Sequence, residues 1–205
     1  MTEAAVQDLV VVAAHGPDFA AQCVASLPAD VARLVVDTGS GAVPDADLVL
    51  PGGHPTAAYR WAYEHMPAEH YLFIQDSMTA VVDDPVKWFR DQLPAEGGAV
   101  AWGLFGMAFD TPGQREWVHN QYPGPIPELG IMGPIFYTPR TSLDILADAG
   151  LLPAIPADRM QAQGTERAWA FAYARAGLPV VGPMWNHGAM QFGFGPFRKV
   201  WAGRP

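Results

Sequence analysis

Three carboxylates stand where apolar runs give way to polar residues or where a helical pattern opens: Asp37, Asp76 and Glu166. A carboxylate can accept hydrogen bonds from ribose hydroxyls, supply oxygen to a divalent cation, or take the proton of a hydroxyl. Asp76 follows Tyr71-Leu72-Phe73-Ile74, an apolar run that reads as a buried strand, and the run breaks into Gln75-Asp76-Ser77-Met78. A carboxylate at the C-terminal end of a central strand sits where open α/β sheets bind their ligands. Each acid also has a local reading. Asp37 in Asp37-Thr38-Gly39-Ser40 can close its own turn, Asp76 can cap the element after the strand, and Glu166 can complement a helix dipole. In the tail, His187 is a candidate nitrogen ligand and Arg198 or Lys199 a candidate phosphate partner. His15 follows the first strand, at the edge of the same expected pocket. His54, His65, His70 and His119 show no spacing that suggests a cluster. Trp102, Trp117, Tyr122 and Trp185 are candidates for a stacking wall.

The elements that must position these groups alternate. Asp8–Ala14, Arg33–Val36, Asp47–Leu50 and Tyr71–Ile74 read as strands. Asp18 opens a helix with Phe19, Cys23 and Leu27 on one face, and Thr56 opens another with Ala58, Trp61, Ala62 and His65 together. Strand–helix alternation predicts a doubly wound, mostly parallel sheet flanked by helices. Beyond Met78 the chain is richer in loops. Asp84-Pro85 opens a helix through Leu93, and Ala99–Phe109 is an irregular strand. Gly113–Gly133 is expected to be a long loop over the site, because Tyr122-Pro123-Gly124-Pro125-Ile126-Pro127 suits no regular element. Ile135–Tyr137 and Leu178–Val181 are short strands, with a helix from Ser142 to near Gly150 between them. Thr165 is expected to cap a helix carrying Trp169, Ala172, Tyr173 and Ala176, stopped at Gly177.

The 205 residues suit one domain, with a ligand-binding half over about 8–95 and a second half with a closing tail over about 96–205. Half of the residues are hydrophobic, as in an ordinary globular chain. The single Cys23 excludes an internal disulfide and a cysteine-pair zinc site. A formal net charge of −9 weighs against a nucleic-acid partner without excluding a local basic groove. Glu3 and Asp8 near the start do not suit a signal peptide, and no apolar run approaches a membrane span, so a cytoplasmic protein is expected. There is no phosphate-loop, nucleophile-elbow or dinucleotide fingerprint.

The order of these features resembles the nucleotide-sugar-dependent glycosyltransferases of the GT-A fold, especially the family-2-like branch. The matching stretches are Asp37-Thr38-Gly39-Ser40 at the second strand, Tyr59-Arg60-Trp61 on the following helix, Asp76-Ser77-Met78 at the acidic motif, and Thr165-Glu166 before Ala176-Gly177-Leu178-Pro179-Val180. The likeness spans roughly residues 8 to 182. It implies a GT-A-like, Rossmann-like fold and a donor, with UDP-sugar favoured, held by Asp37, Arg60, Asp76, Ser77 and Lys199. Glu166 would be the general base of an inverting transfer. It also implies a Mn²⁺ or Mg²⁺ ion on the donor diphosphate, held by Asp76 and, through a looser match in the tail, His187. The chain departs from the pattern at Met78, which replaces the second acid with a thioether, a poor ligand for a hard cation. The acceptor stays open among a protein, a small molecule and a hydroxymethylated DNA base, the last in a bacterial virus acting in its host's cytoplasm. Two alternatives remain: a non-catalytic nucleotide-sugar-binding module, and a sugar nucleotidyltransferase. The second would need cations that His15-Gly16-Pro17-Asp18 lacks.

Overall fold

The computed structural model describes residues 6–39, 41–50, 54–133, 135–184 and 195–200. The first half follows the alternation read from sequence: β1 (Val6–Ala14), α1 (Pro17–Ser26), β2 (Ala32–Asp37), β3 (Leu48–Val49), α2 (Pro55–His65) and β4 (Ala68–Gln75). The second half holds β5 (Met78–Ala80), α3 (Pro85–Arg90), β6 (Ala99–Ala101), β7 (Leu104–Gly106), α4 (Pro112–Gln121), β8 (Leu129–Ile131), β9 (Phe136–Pro139), α5 (Arg140–Asp148), α6 (Arg159–Arg175), β10 (Val180–Val181) and β11 (Phe197–Lys199). A seven-stranded sheet runs β10-β6-β9-β4-β1-β2-β3. Every strand in it is parallel to its neighbours except β9, which pairs antiparallel with both β4 and β6. The chain is thus a mixed α/β fold built on a mostly parallel sheet.

Alternation along the central strands divides the core. Leu9, Val11, Ala13, Tyr71 and Phe73 face one way, onto Ala58, Tyr59 and Ala62 of α2 and Trp169 to Tyr173 of α6. Val10, Val12, Ala14, Leu72 and Ile74 face the other way, onto Ala20 and Cys23 of α1 and Phe89 of α3. Side chains of this size contribute about 1.5–3 kcal/mol each on full burial, so the two layers fix the register of β1 against β4. Met78 belongs to the second layer and is fully buried, which turns its thioether away from any ligand.

Several boundaries differ from expectation. The stretch expected to be a loop, Gly113–Gly133, holds most of α4 and all of β8. Thr111 accepts from Gln114 N as N-cap and Pro112 opens the helix, so the start signal lies just before the loop-like residues. Ala99–Phe109 divides into β6 of the main sheet and β7, which pairs antiparallel with β8 in a separate two-stranded sheet. Helix α6 begins at Arg159 and not at Thr165. Asp158 Oδ1 accepts from Gln161 N while Gln161 Oε1 accepts from Ala157 N, a reciprocal cap. Gly164 lies inside the helix, where a Cβ would stand 2.9 Å from the Trp117 ring, so only glycine lets that ring pack so close. Thr165 is internal and donates to Ala162 O. Trp102 and Tyr122 are buried in the core and do not form a stacking wall; Trp185 lies outside the described residues.

Candidate active site at the carboxyl ends of the strands

After β3 the strand order reverses, with β4 on the opposite side of β1 from β2. The crevice outside the carboxyl ends of β1 and β4 is therefore the topological switch point, where open α/β sheets bind ligands. A cavity of about 500 Å³ opens there, lined by Ala13, His15, Thr38, His54, Pro55, Gln75, Asp76, Ser77, Arg159, Ala162, Gln163, Thr165 and Glu166.

Asp76 is placed by backbone. Its own N–H donates to Ala13 O, and its Oδ2 accepts from the N–H groups of His15 at 2.6 Å and Gly16 at 2.9 Å. Gly16 is the N-cap of α1 and carries no capping side chain, so Asp76 supplies the acceptor from across the sheet. The local reading of Asp76 as a cap and its reading as a site residue thus divide between two oxygens. Among the described residues Oδ1 accepts no hydrogen bond, while the residue lines the cavity. Ser77 follows in the turn, with its carbonyl held by Val200 N.

Glu166 reaches the same cavity from the third turn of α6. Burial raises its pKa, opposed first by Arg167, then by Lys199 and by the Gly133 backbone N–H, with Asp110 adding to the rise. Arg167 Nη1 stands 3.5 Å from Glu166 Oε2. Arg167 is itself fixed by Ala108 O, Gln163 O and Asp110, so it is a rigid neighbour and not a mobile counter-charge. Lys199 arrives on β11, which returns antiparallel to β5 and sets Lys199 opposite Met78. Gln75 Nε2 donates to Gly133 O at 2.7 Å, tying the segment beside Glu166 to the end of β4.

Asp76, Ser77, Glu166 and Lys199 are thus brought together. Two expected donor ligands are not. Asp37 is fully buried; its Oδ1 accepts from Gly39 N and its Oδ2 from Val43 N. The carboxylate shapes the loop after β2, and Thr38 faces the cavity in its place, its hydroxyl donating to Ala14 O. Arg60 projects from α2 toward Glu64, at 3.3 Å, and Pro153 O, away from the cavity lining. His187 lies outside the described residues.

Sequence spacing gave no hint that His15 and His54 would meet. They approach because the ends of β1 and of the β3–α2 connection flank one crevice. Burial lowers the pKa of His54, His15 lowers it further, and Asp158 opposes both. Arg159 completes this side from the first turn of α6. Among the described residues no three His, Cys, Asp or Glu side chains converge on a common point. The donor set for a cation is therefore Asp76 Oδ1, which suits only an ion carried in on ligand phosphates and completed by phosphate and water oxygens.

No protein-family model matches the chain, and no curated protein matches it in sequence. Among solved structures it is similar to a crystal structure of S. aureus TarS 1–349, at 12% identity over 80% of this chain and 55% of that one, with a TM-score of 0.44. It is also similar to a hypothetical transferase from Thermus thermophilus, at 15% identity over 87% of this chain and 93% of that one, with a TM-score of 0.41. The chain thus spans about half the length of the TarS chain. Among the described residues no helix is long and apolar enough to cross a membrane.

Proposed function

We propose that the chain is a glycosyltransferase that moves a sugar from a nucleotide-sugar donor, with a UDP-sugar favoured, to an acceptor hydroxyl. The observation that carries this reading is the sharing of one cavity, at the switch point of the sheet, by Asp76, Ser77 and Glu166. Asp76 Oδ1 faces donor hydroxyls or a Mn²⁺ or Mg²⁺ ion on the diphosphate; such an ion would supply charge neutralisation for the leaving group. Glu166 is the general base. Its raised pKa makes the carboxylate a better proton acceptor, and ionisation remains accessible because Arg167 and Lys199 flank it.

The acceptor oxygen attacks the anomeric carbon, its proton passes to Glu166, and the bond from that carbon to the diphosphate oxygen breaks with its electron pair on the diphosphate. Direct displacement inverts the anomeric centre. Lys199 stands beside Glu166 and offsets its negative charge, which keeps the carboxylate able to ionise. A protein, a small metabolite and a hydroxymethylated DNA base are all acceptors with the required hydroxyl. The net charge of −9 disfavours the last on electrostatic grounds.

A thermal-shift screen of nucleotide sugars, with and without Mn²⁺, tests the donor. A donor at about 100 times its Kd adds about 2.7 kcal/mol, which for this chain length is a Tm rise of about 5–10 °C. Transfer or donor hydrolysis then tests Glu166→Ala, expected to lose about 10²–10⁴-fold. A screen in which no nucleotide sugar shifts Tm overturns the donor class. Undiminished turnover by the variant overturns the base. The burial of Met78 away from the site leaves room for a second reading, a non-catalytic binding module, which would give a donor shift with no turnover in either protein.

A further inference from the structure

We infer that the His15–His54–Arg159 side of the cavity is a subsite for the diphosphate of the ligand, binding it directly through protein cations and N–H donors without a divalent ion. This deepens the glycosyltransferase reading and rests on it for the identity of the ligand, but not for the anion chemistry. Three elements deliver the three side chains. His15 follows β1, His54 occupies the N-cap position of α2 with no side-chain capping bond, and Arg159 opens α6. All three line the cavity. No side chain of the three has a hydrogen-bond or ion-pair partner among the described residues. In a chain with 12 Lys and Arg against 21 Asp and Glu, this is an unusual gathering of donors without acceptors.

Each acidic group nearby has one oxygen already held. Asp158 Oδ1 caps α6 through Gln161 N, and Asp76 Oδ2 is held by the amides of His15 and Gly16. Burial first and then His15 disfavour the charged form of His54, a cost that a bound anion relieves. A cation-dependent mode would have Asp76 Oδ1 as its protein ligand, since Met78 is in the core and no three-ligand cluster exists among the described residues.

The early start of α6 supplies the spacing. Arg159, Ala162, Gln163 and Glu166 stand at i, i+3, i+4 and i+7, one stripe along the cavity wall. Arg159 and Glu166 are therefore about 10 Å apart along the helix axis. The diphosphate would lie at the basic end, with its sugar directed toward the carboxylate. The N-terminus of α6 adds its dipole at the same end.

Calorimetric titration of inorganic pyrophosphate, UDP and uridine in excess EDTA tests the subsite, comparing the wild-type chain with Arg159→Ala and His54→Gln. Arg159 is exposed at the start of its helix, so its truncation leaves the fold intact. Pyrophosphate and UDP should bind in EDTA, each variant should weaken both by about tenfold, and weak uridine binding should not change. Binding that vanishes in EDTA and returns with Mn²⁺ overturns the proposal, as does Arg159→Ala binding UDP like wild type. The two readings fail separately. Arg159-dependent pyrophosphate binding without binding of any nucleotide sugar leaves the subsite standing and removes the donor assignment. Sugar transfer that requires Mn²⁺ and ignores Arg159 does the reverse.

Discussion

Asp76→Ala and Asp76→Asn remove different parts of one carboxylate. Oδ2 accepts two backbone N–H groups at the start of α1, from His15 at 2.6 Å and Gly16 at 2.9 Å. Hydrogen bonds to a charged group contribute about 1.5–3 kcal/mol each, and two that share one oxygen are not additive, so alanine should cost about 3 kcal/mol. For a 205-residue chain that lowers Tm by about 6–12 °C. Asparagine keeps an acceptor for both amides and loses only the charge, at about 1 kcal/mol, or about 2–4 °C. Its amide nitrogen then replaces Oδ1 and turns an acceptor facing the cavity into a donor. Nucleotide binding should therefore fall about tenfold or more in both variants, although only alanine melts early. Thermal melts followed by circular dichroism, run beside calorimetric titration of UDP, read the two effects separately. If asparagine melts as low as alanine, the anchoring role assigned to Oδ2 is wrong. If asparagine binds nucleotide like wild type, Oδ1 does not face the ligand.

Three further outcomes follow from the structure. Burial raises the pKa of Glu166 above its ordinary 4.5, so the folded chain holds this proton more tightly than the unfolded chain, and ionising it costs stability as pH rises. Glu166→Gln should raise Tm at pH 7 while abolishing transfer, with the gain fading as pH falls below about 4.5; a gain independent of pH would show that the carboxylate is not desolvated. Gly98→Ala should cost about 3 kcal/mol or more, read as a loss in urea midpoint, because φ is +104° and the new Cβ would lie 2.1 Å from Pro179 O. Cys23, with its thiol pushed up to about 12 by burial and then by Asp76, should resist a thiol reagent at pH 8 until the protein is unfolded; rapid native labelling would contradict its buried placement.

Features that depend on local pattern are legible in the order of residues alone. Unbroken apolar runs at Leu9–Ala14 and Tyr71–Ile74 can be satisfied only between two apolar layers, and that makes them central strands. Once Tyr71–Ile74 is central, Asp76 must stand at its carboxyl end, so one side of the cavity was legible before any coordinates. The tertiary structure decided whatever depends on residues remote in sequence. Residues Ile135–Tyr137 read as a strand, but only pairing places β9 antiparallel between β4 and β6. The Asp158–Gln161 cap starts α6 at Arg159, ahead of Thr165, and puts Arg159 and Glu166 on one stripe, while Gly164 inside the helix lets Trp117 pack close. Asp37 has the composition of a ligand residue, yet two loop amides claim its oxygens. His15 and His54 lie in unrelated segments, and Lys199 reaches Glu166 only because β11 folds back on β5. Periodicity reports which face of an element is buried; which side chains from distant elements share a cavity is set by packing and hydrogen bonds that no local pattern encodes.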